Sequence, residues 1–511
     1  MGMPAGQVGS TTAEIVGIPH FVGGQKRLSP GSASLPVYDP SSGRQTGSVP
    51  VATDLEVDET VALAQAAQPA WARATLAQRA EVFFRFRELL TRNADQLALA
   101  ITREHGKVLS DARGEIARGL ENVEFACGLS HLLKGSKSVE VSSNIDVEEY
   151  RFPVGVAVGI SPFNFPVMVP LWMICSALAC GNAFILKPSE KDPGAPVLLA
   201  ELLAEAGLPA GVLSILHGDA STVNRLLDHP DVAAVSSVGS TLVARQIYHR
   251  AAKHGKRVQA LGGAKNHMVV LPDADLEAAA NAAVSAAFGS AGERCMAISV
   301  LVAVGEAADP LVELVAAKMT RLRIGPGTDP SSEMGPLITS AHRDRVASYI
   351  TTGAAEGATV VVDGRSLSFE GDGFFLGASL LDQVTPDMRV YQDEIFGPVL
   401  CVVRCPNYQE ALAVVNANHY GNGGAIFTRD GAAARRFCRE AEVGMVGINV
   451  PIPVPVGTFS FGGWKDSLFG DSHMYGPDGI HFFTRTKVVT GRWQETGEAR
   501  PAINFSFPAN S

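Results

Sequence analysis

The chain has 511 residues, 46% hydrophobic and 18% charged, which separates it from disordered chains and gives it enough apolar mass for more than one domain. A formal net charge of −10 argues against nucleic acid or an anionic membrane as its main partner. Seven cysteines with no CxxC pair, and 12 scattered histidines with no HExxH, argue against a disulfide framework or a structural zinc.

Reduced thiols fit a cytoplasm or, as a lesser expectation, a mature mitochondrial matrix. Residues 1–17 carry no basic residue and no signal-peptide pattern, and residues 1 to about 20 read as a loose arm. Val37 to Gly43 reads as a strand followed by a turn. Thr75 and Gln78 form a capping box, and the helix it opens carries Val82, Phe83, Phe86 and Leu90 on one face. A second helix, from about Asp111 to Cys127, carries Arg118. In residues 137–150, Val139, Val141, Ile145 and Val147 alternate with Glu140, Ser142, Asp146 and Glu148, as in an exposed two-faced strand or hairpin.

Beyond Val154 the pattern becomes strand, helix, strand. Residues 154–160, 183–186, 212–216, 232–235 and 257–261 read as buried strands, and 171–180, 197–206 and 242–254 as helices. Such alternation predicts a parallel sheet covered on both faces, with ligands at the carboxyl ends of its strands. The apolar run from Pro166 to Cys180 is short for a membrane span and is interrupted by Pro170. A second α/β region follows: helix 276–287, strand 300–304, helix 310–319 and strand 359–362. Arg323 to Pro330 reads as a loop, Val450 to Pro455 as a proline-punctuated extended segment, and Phe482 to Trp493 as strand-like.

One run of the second region carries nucleophile chemistry. In Phe288-Gly289-Ser290-Ala291-Gly292-Glu293-Arg294-Cys295-Met296-Ala297, a cysteine sits among small residues directly after an arginine. Small neighbours allow close approach to the sulfur, and the cation favours thiolate, the attacking form. On these residues alone, a buried structural cysteine is the commoner reading.

Four runs together resemble the aldehyde dehydrogenase superfamily. They are Ser161-Pro162-Phe163-Asn164-Phe165-Pro166, Lys187-Pro188-Ser189-Glu190, Phe288 through Cys295, and Glu394-Ile395-Phe396-Gly397-Pro398, in the family's order and approximate spacing. Gly292 through Ala297, Gly263-Ala264-Lys265-Asn266-His267 and Asn449 through Pro455 are similar to its CoA-acylating branch, which acts on methylmalonate and malonate semialdehydes. The resemblance implies an α/β fold of two parallel, Rossmann-like domains plus a small β oligomerisation flap. Residues 1–136 and 156–260 would form a discontinuous NAD-binding domain and 261–474 the catalytic domain. Residues 137–155 and 475–511 would be oligomerisation segments of a homodimer or homotetramer, the alternative being a flap on a monomer.

The resemblance also implies roles. Cys295 adds to an aldehyde carbonyl, hydride passes to NAD+, and a thioester remains. The Asn164 amide and the Cys295 N–H stabilise the oxyanion; losing one such donor typically costs ~10²–10³ in rate. Phe163, Phe165, Lys187, Glu190, Gly239, Ser240, Glu394 and Phe396 form the expected cofactor-binding set. Lys187 and Glu190 would meet a ribose, Gly239 and Ser240 a phosphate at a helix start, and Glu394 and Phe396 the nicotinamide end. The bland alternative for Gly239 and Ser240 is an ordinary helix cap. No GxGxxG occurs, which is normal for this superfamily.

Arg118 and Arg294 are the expected grips for a substrate carboxylate. The alternatives are an Arg118 paired with Glu115 or Glu121, and an Arg294 that only activates the thiol. Hydrolytic relatives carry a glutamate before Leu-Gly-Gly; here that position is Ala260, or Leu261 with a one-residue slip. A general base typically supplies ~10²–10⁴ in rate, so its absence leaves the thioester to a thiol, and CoA is the expected co-substrate. Glu293 is the reservation, although its place two residues before Cys295 suggests a turn role. The competing readings are a hydrolytic NAD(P)-dependent semialdehyde dehydrogenase that releases a free acid, and a non-catalytic protein on this scaffold. The partners expected are a small semialdehyde and CoA, with neither nucleic acid nor membrane.

Overall fold

The structure is a computed structural model that describes residues 15–29 and 31–493. Two mixed sheets, parallel at their centres, organise it. The first has the order Leu468–Phe469, Arg257–Leu261, Val232–Val238, Val156–Ile160, Ala183–Lys187, Leu213–Ile215, His20–Val22, Gln25–Arg27. Its five central strands run parallel, and antiparallel strands close both edges. Val156–Ile160 and Ala183–Lys187 are buried at every position, which is why they read as unbroken apolar runs rather than as alternation. The strand order reverses between Val156–Ile160 and Val232–Val238, where α/β sheets open a crevice.

The second sheet has the order Thr359–Val362, Ser379–Asp382, Val399–Cys405, Ile298–Val304, Asn266–Val270, Gly423–Phe427, Met445–Ile448, parallel except for its first pair. The chain passes from sheet to sheet through 262–265, so the carboxyl end of one faces the amino end of the other. Helix Met168–Ala179, the core of the apolar run around Pro170, is buried along its whole length. It lies against helix Leu109–Cys127, where Gly119 permits close approach: a Cβ there would stand 2.8 Å from Leu171 Cδ1. Among the described residues no helix is long and apolar enough to cross a membrane, and no group of three or more His, Cys, Asp or Glu could hold a metal ion.

Lys137–Ser142, Ile145–Pro153 and Thr484–Arg492 form a third, antiparallel sheet with Val139, Val141, Val488 and Val489 exposed. Phe482 ends helix Gly476–Phe482, so the final strand starts at Thr484.

The expected loose arm is corrected in part: Val16–Gly17 and His20–Val22 are strands, tied to Arg44–Pro50 and Leu213–Ile215. Residues 1–14 of that arm, and 494–511 of the expected carboxyl-terminal oligomerisation segment, lie outside the described residues.

Candidate active site

Cys295 stands on an irregular turn that enters the central strand of the second sheet. Helix Leu276–Phe288 stops at Gly289, and the chain crosses Ser290, Ala291 and Gly292 at φ of 53°, 52° and 75° before Ile298–Val304 begins. Left-handed backbone at two non-glycine residues persists only where surroundings hold it. Asp111, in the first turn of helix Leu109–Cys127, supplies two of the ties: Oδ2 accepts from Ser290 N at 2.9 Å and Oδ1 from Arg294 Nη2 at 2.6 Å. Asn266 Nδ2 donates to the carbonyls of Cys295 and Ala297, both at 2.9 Å, and Asn422 Nδ2 donates to that of Cys295 at 3.0 Å.

A cavity of about 390 Å³ opens in front of the half-buried Cys295, with Arg118, Arg294, Phe165, Trp172 and Phe461 in its walls. The two expected arginines and the expected nucleophile therefore share one space. Arg118 donates to Glu121 Oε1 and to the carbonyl of Val454, both at 2.7 Å, so the bland pairing with Glu121 is realised while the residue still lines the cavity. Arg294 favours the thiolate of Cys295, but other effects outweigh it. Burial first, then the nearby Glu394 charge, pushes the Cys295 thiol up to about 12. The guanidinium turns instead to Asp111.

Asn164 is buried on the segment between Ile160 and Met168. A wholly buried ion pair fixes that segment. Lys107 Nζ donates to Glu115 Oε2 at 2.9 Å and to the Asn164 carbonyl at 2.5 Å, and Glu115 Oε1 accepts from Val167 N and Met168 N. Phe165 passes under Lys107 Nζ, 4.5 Å from the ring centroid, and faces the Cys295 cavity rather than the cleft of Lys187 and Glu190. Phe163 packs edge-on to Phe396 at 5.8 Å, beneath Lys191.

The second space is an open cleft of about 1000 Å³ along the carboxyl ends of the first sheet. Ile160 and Lys187, the last residues of adjacent strands, line it, as do Glu190 and Val243. Lys187 Nζ donates to Glu190 Oε2 at 3.0 Å, and that cation holds the Glu190 carboxyl below its usual range against the cost of burial. Helix Thr241–Lys253 starts beside the cleft; the Ser240 hydroxyl makes no cap bond, and Gly239 N is spent on the Leu261 carbonyl. The cleft's volume, its cation and carboxylate at strand ends and an N-cap hydroxyl left free suit a dinucleotide. Glu394 and Phe396 lie in a narrower space that also reaches Cys295. Glu394 Oε1 accepts from Ala264 N at 2.9 Å, and burial pushes its carboxyl up to about 7.

Ala260 is fully buried on Arg257–Leu261, paired with Ser237 and Phe469. Glu293 points into the interior: Oε1 accepts from Ile338 N at 3.3 Å and lies 3.4 Å from His342 Nε2, and Oε2 lies 3.8 Å from His105 Nε2. It lines neither space around Cys295, and burial pushes its carboxyl up to about 8.

Asp111, Lys107, Glu115 and Asn422 escaped the sequence reading of the site. Each reaches it from a distant stretch of the chain through one or two polar atoms, without a local pattern. Asn266 lay within a recognised run, where only the sheet crossing shows its task.

The aldehyde dehydrogenase family model matches residues 28–489. A malonate-semialdehyde dehydrogenase of Pseudomonas aeruginosa is 52% identical over 493 residues, spanning 96% of this chain and 99% of its own. Two solved structures superpose with TM-scores of 0.93. One, described as a methylmalonate-semialdehyde dehydrogenase of Sinorhizobium meliloti 1021 complexed with NAD, is 50% identical and covers 96% of this chain and 100% of its own. The other, a methylmalonate-semialdehyde dehydrogenase of Oceanimonas doudoroffii, is 51% identical and covers 94% and 99%.

Proposed function

We propose a CoA-acylating oxidation of malonate and methylmalonate semialdehydes for this chain, which belongs to the aldehyde dehydrogenase family. The carrying observation is that Arg118 and Arg294 share one cavity with Cys295. A semialdehyde of this kind has a carboxylate beyond its aldehyde, and a guanidinium grips a carboxylate bidentately. Its aldehyde carbon then lies at the sulfur. The names of the relatives support the same substrates.

Cys295 adds to the carbonyl as its thiol proton leaves to water in the open cavity, with the Asn164 amide and the Cys295 N–H as oxyanion donors. Lys107 and Glu115 keep the Asn164 segment in place. NAD+, held by the set at Lys187, Glu190, Gly239, Ser240, Phe163, Glu394 and Phe396, accepts the hydride. The acyl group stays on Cys295 as a thioester. Its carbonyl stabilises the enolate left when the β-carboxylate departs as CO2, and protonation completes a propionyl or acetyl group. With alanine at 260 and Glu293 turned inward, CoA's thiol takes the acyl group and Cys295 Sγ is the leaving group.

One observation favours the hydrolytic alternative. Glu394 faces Cys295 with its carboxyl near 7, in the range of a useful general base. Purified protein, semialdehyde and NAD+ with CoA titrated, and products identified, separates the two. The proposal expects slow steady-state NADH without CoA and propionyl-CoA or acetyl-CoA with it. Full steady-state turnover without CoA would establish hydrolysis, and Glu394→Gln should then abolish it.

The exposed valine row on the third sheet supports association with further copies of the chain. Analytical ultracentrifugation should find a dimer or tetramer, and a monomer would make that sheet a mere flap.

A further inference from the structure

Arg294 has somewhere else to go. Behind it lies a second cavity of about 280 Å³, lined by Asp111, Arg294, Ser285, Lys318 and Glu333 among others. The guanidinium thus stands in a partition between this rear space and the Cys295 cavity, and packing on one side alone cannot aim it. Two features do. Asp111 Oδ1 takes Nη2 at 2.6 Å while its other oxygen holds the Ser290 N–H, so the carboxylate is itself fixed at both oxygens. The guanidinium also lies against the bare Cα of Gly289, where a Cβ would fall 2.4 Å from Nη1, 2.6 Å from Cζ and 2.7 Å from Nη2.

That glycine is not required by its backbone. Gly289 has φ −53° and ψ 135°, which any L-residue adopts. Its missing side chain makes room for the cation.

We propose that Asp111 and Gly289 are positioning residues that fix the aim of the Arg294 guanidinium and so set this enzyme's preference for aldehydes carrying a carboxylate. The inference rests on the reading of Arg294 as a grip for that carboxylate. Asp111 occupies one nitrogen of the fork and leaves the rest for the substrate. A bidentate grip tolerates little angular error, so a shift of the fork weakens the acid substrate and leaves a plain aldehyde almost untouched.

The test compares malonate semialdehyde with propanal, each with NAD+ and CoA, in Gly289→Ala, Asp111→Asn and Arg294→Leu. Gly289→Ala should lower kcat/KM for the acid about tenfold or more, mainly through KM, with propanal changed about twofold at most. Asp111→Asn, which keeps an acceptor for Ser290 N but drops the charge and loosens the turn that carries Cys295, should lower both substrates and the acid more. If Arg294→Leu is selective while Gly289→Ala and Asp111→Asn are not, the positioning role is wrong and the grip stands. Equal losses on both substrates in Arg294→Leu would overturn the grip and the inference together. NAD+ binding, measured in parallel, confirms that each variant is folded, and Gly289→Ala keeps the test open should Asp111→Asn misfold.

Discussion

The nucleotide-sized cleft ends on Ile160 and Lys187, which a parallel repeat delivers to the same sheet edge. Cys295 stands on a turn that no repeat dictates, and its position depends on side chains from three separate segments, Asp111, Asn266 and Asn422, while the Lys107–Glu115 pair holds the Asn164 segment. The first region is made by backbone order and tolerates change at single residues. The second is made by buried polar ties, each of which leaves an unpaired partner when cut.

Cys295→Ala divides the two regions most sharply. It should abolish the NADH burst in stopped-flow while NAD+ binding by calorimetry stays measurable; retained turnover would remove the central assignment. Lys107→Met comes next. It leaves Glu115 charged and unpaired in a dry interior, which typically costs about 3–5 kcal/mol, and it frees the Asn164 segment. Melting temperature and kcat should both fall. Adding Glu115→Leu should restore much of the stability but little of the rate, and a double variant recovered in both would deny the pair any part in placing Asn164.

Buried carboxyls and buried imidazoles, which occur in both regions, should respond oppositely to pH. Burial raises the Glu293 carboxyl from 4.5 to about 8. Its contribution to stability is therefore complete below about 4.5 and is lost as pH rises through about 8, at about 1.4 kcal/mol per pH unit for one whole group. In the first sheet, burial lowers His20 to about 4 and His217 to about 3, and the two rings stack at 5.4 Å. Their contribution is complete above the unfolded value of about 6.5 and is lost as pH falls toward 4 and 3. Melting curves across pH should flatten on the alkaline side in Glu293→Gln and on the acid side in His217→Gln. A Glu293→Gln profile parallel to the parent's would show that this carboxyl does not titrate there.

The smallest effect expected is that of Arg118→Leu. Arg118 already spends donors on Glu121 and Val454, so acid semialdehydes should lose several-fold more kcat/KM than propanal, about 1 kcal/mol in selectivity. Equal losses would limit its role to holding Val454.

The same contrast explains what the sequence made legible. Strands 257–261 and 359–362 were readable to the residue because glycines bracket both and β-branched Thr-Val-Val-Val fills the second, although burial is partial in the first and absent in the second. Helix Asp54–Arg73 passed unread. Its buried side is Val57, Thr60, Val61, Ala64 and Trp71, a narrow stripe among alanines and glutamines with Pro69 near its end, although Thr53 and Glu56 form the same capping box that revealed the helix after Thr75. Edge strands of two or three residues, such as Val16–Gly17, are too short to show alternation. At the site, residues beside a motif were visible. The thiol's environment was not, since burial, invisible in the spacing of Arg294 and Cys295, outweighs the adjacent cation.

Alanine at 260 has a consequence for the cell's economy of acyl groups. Under the proposed CoA-acylating reading, a chain short of CoA would idle fully loaded, heavier by one short acyl unit that intact-mass spectrometry would register. Supply of the acceptor, not of the aldehyde, then governs how fast reduced nucleotide appears.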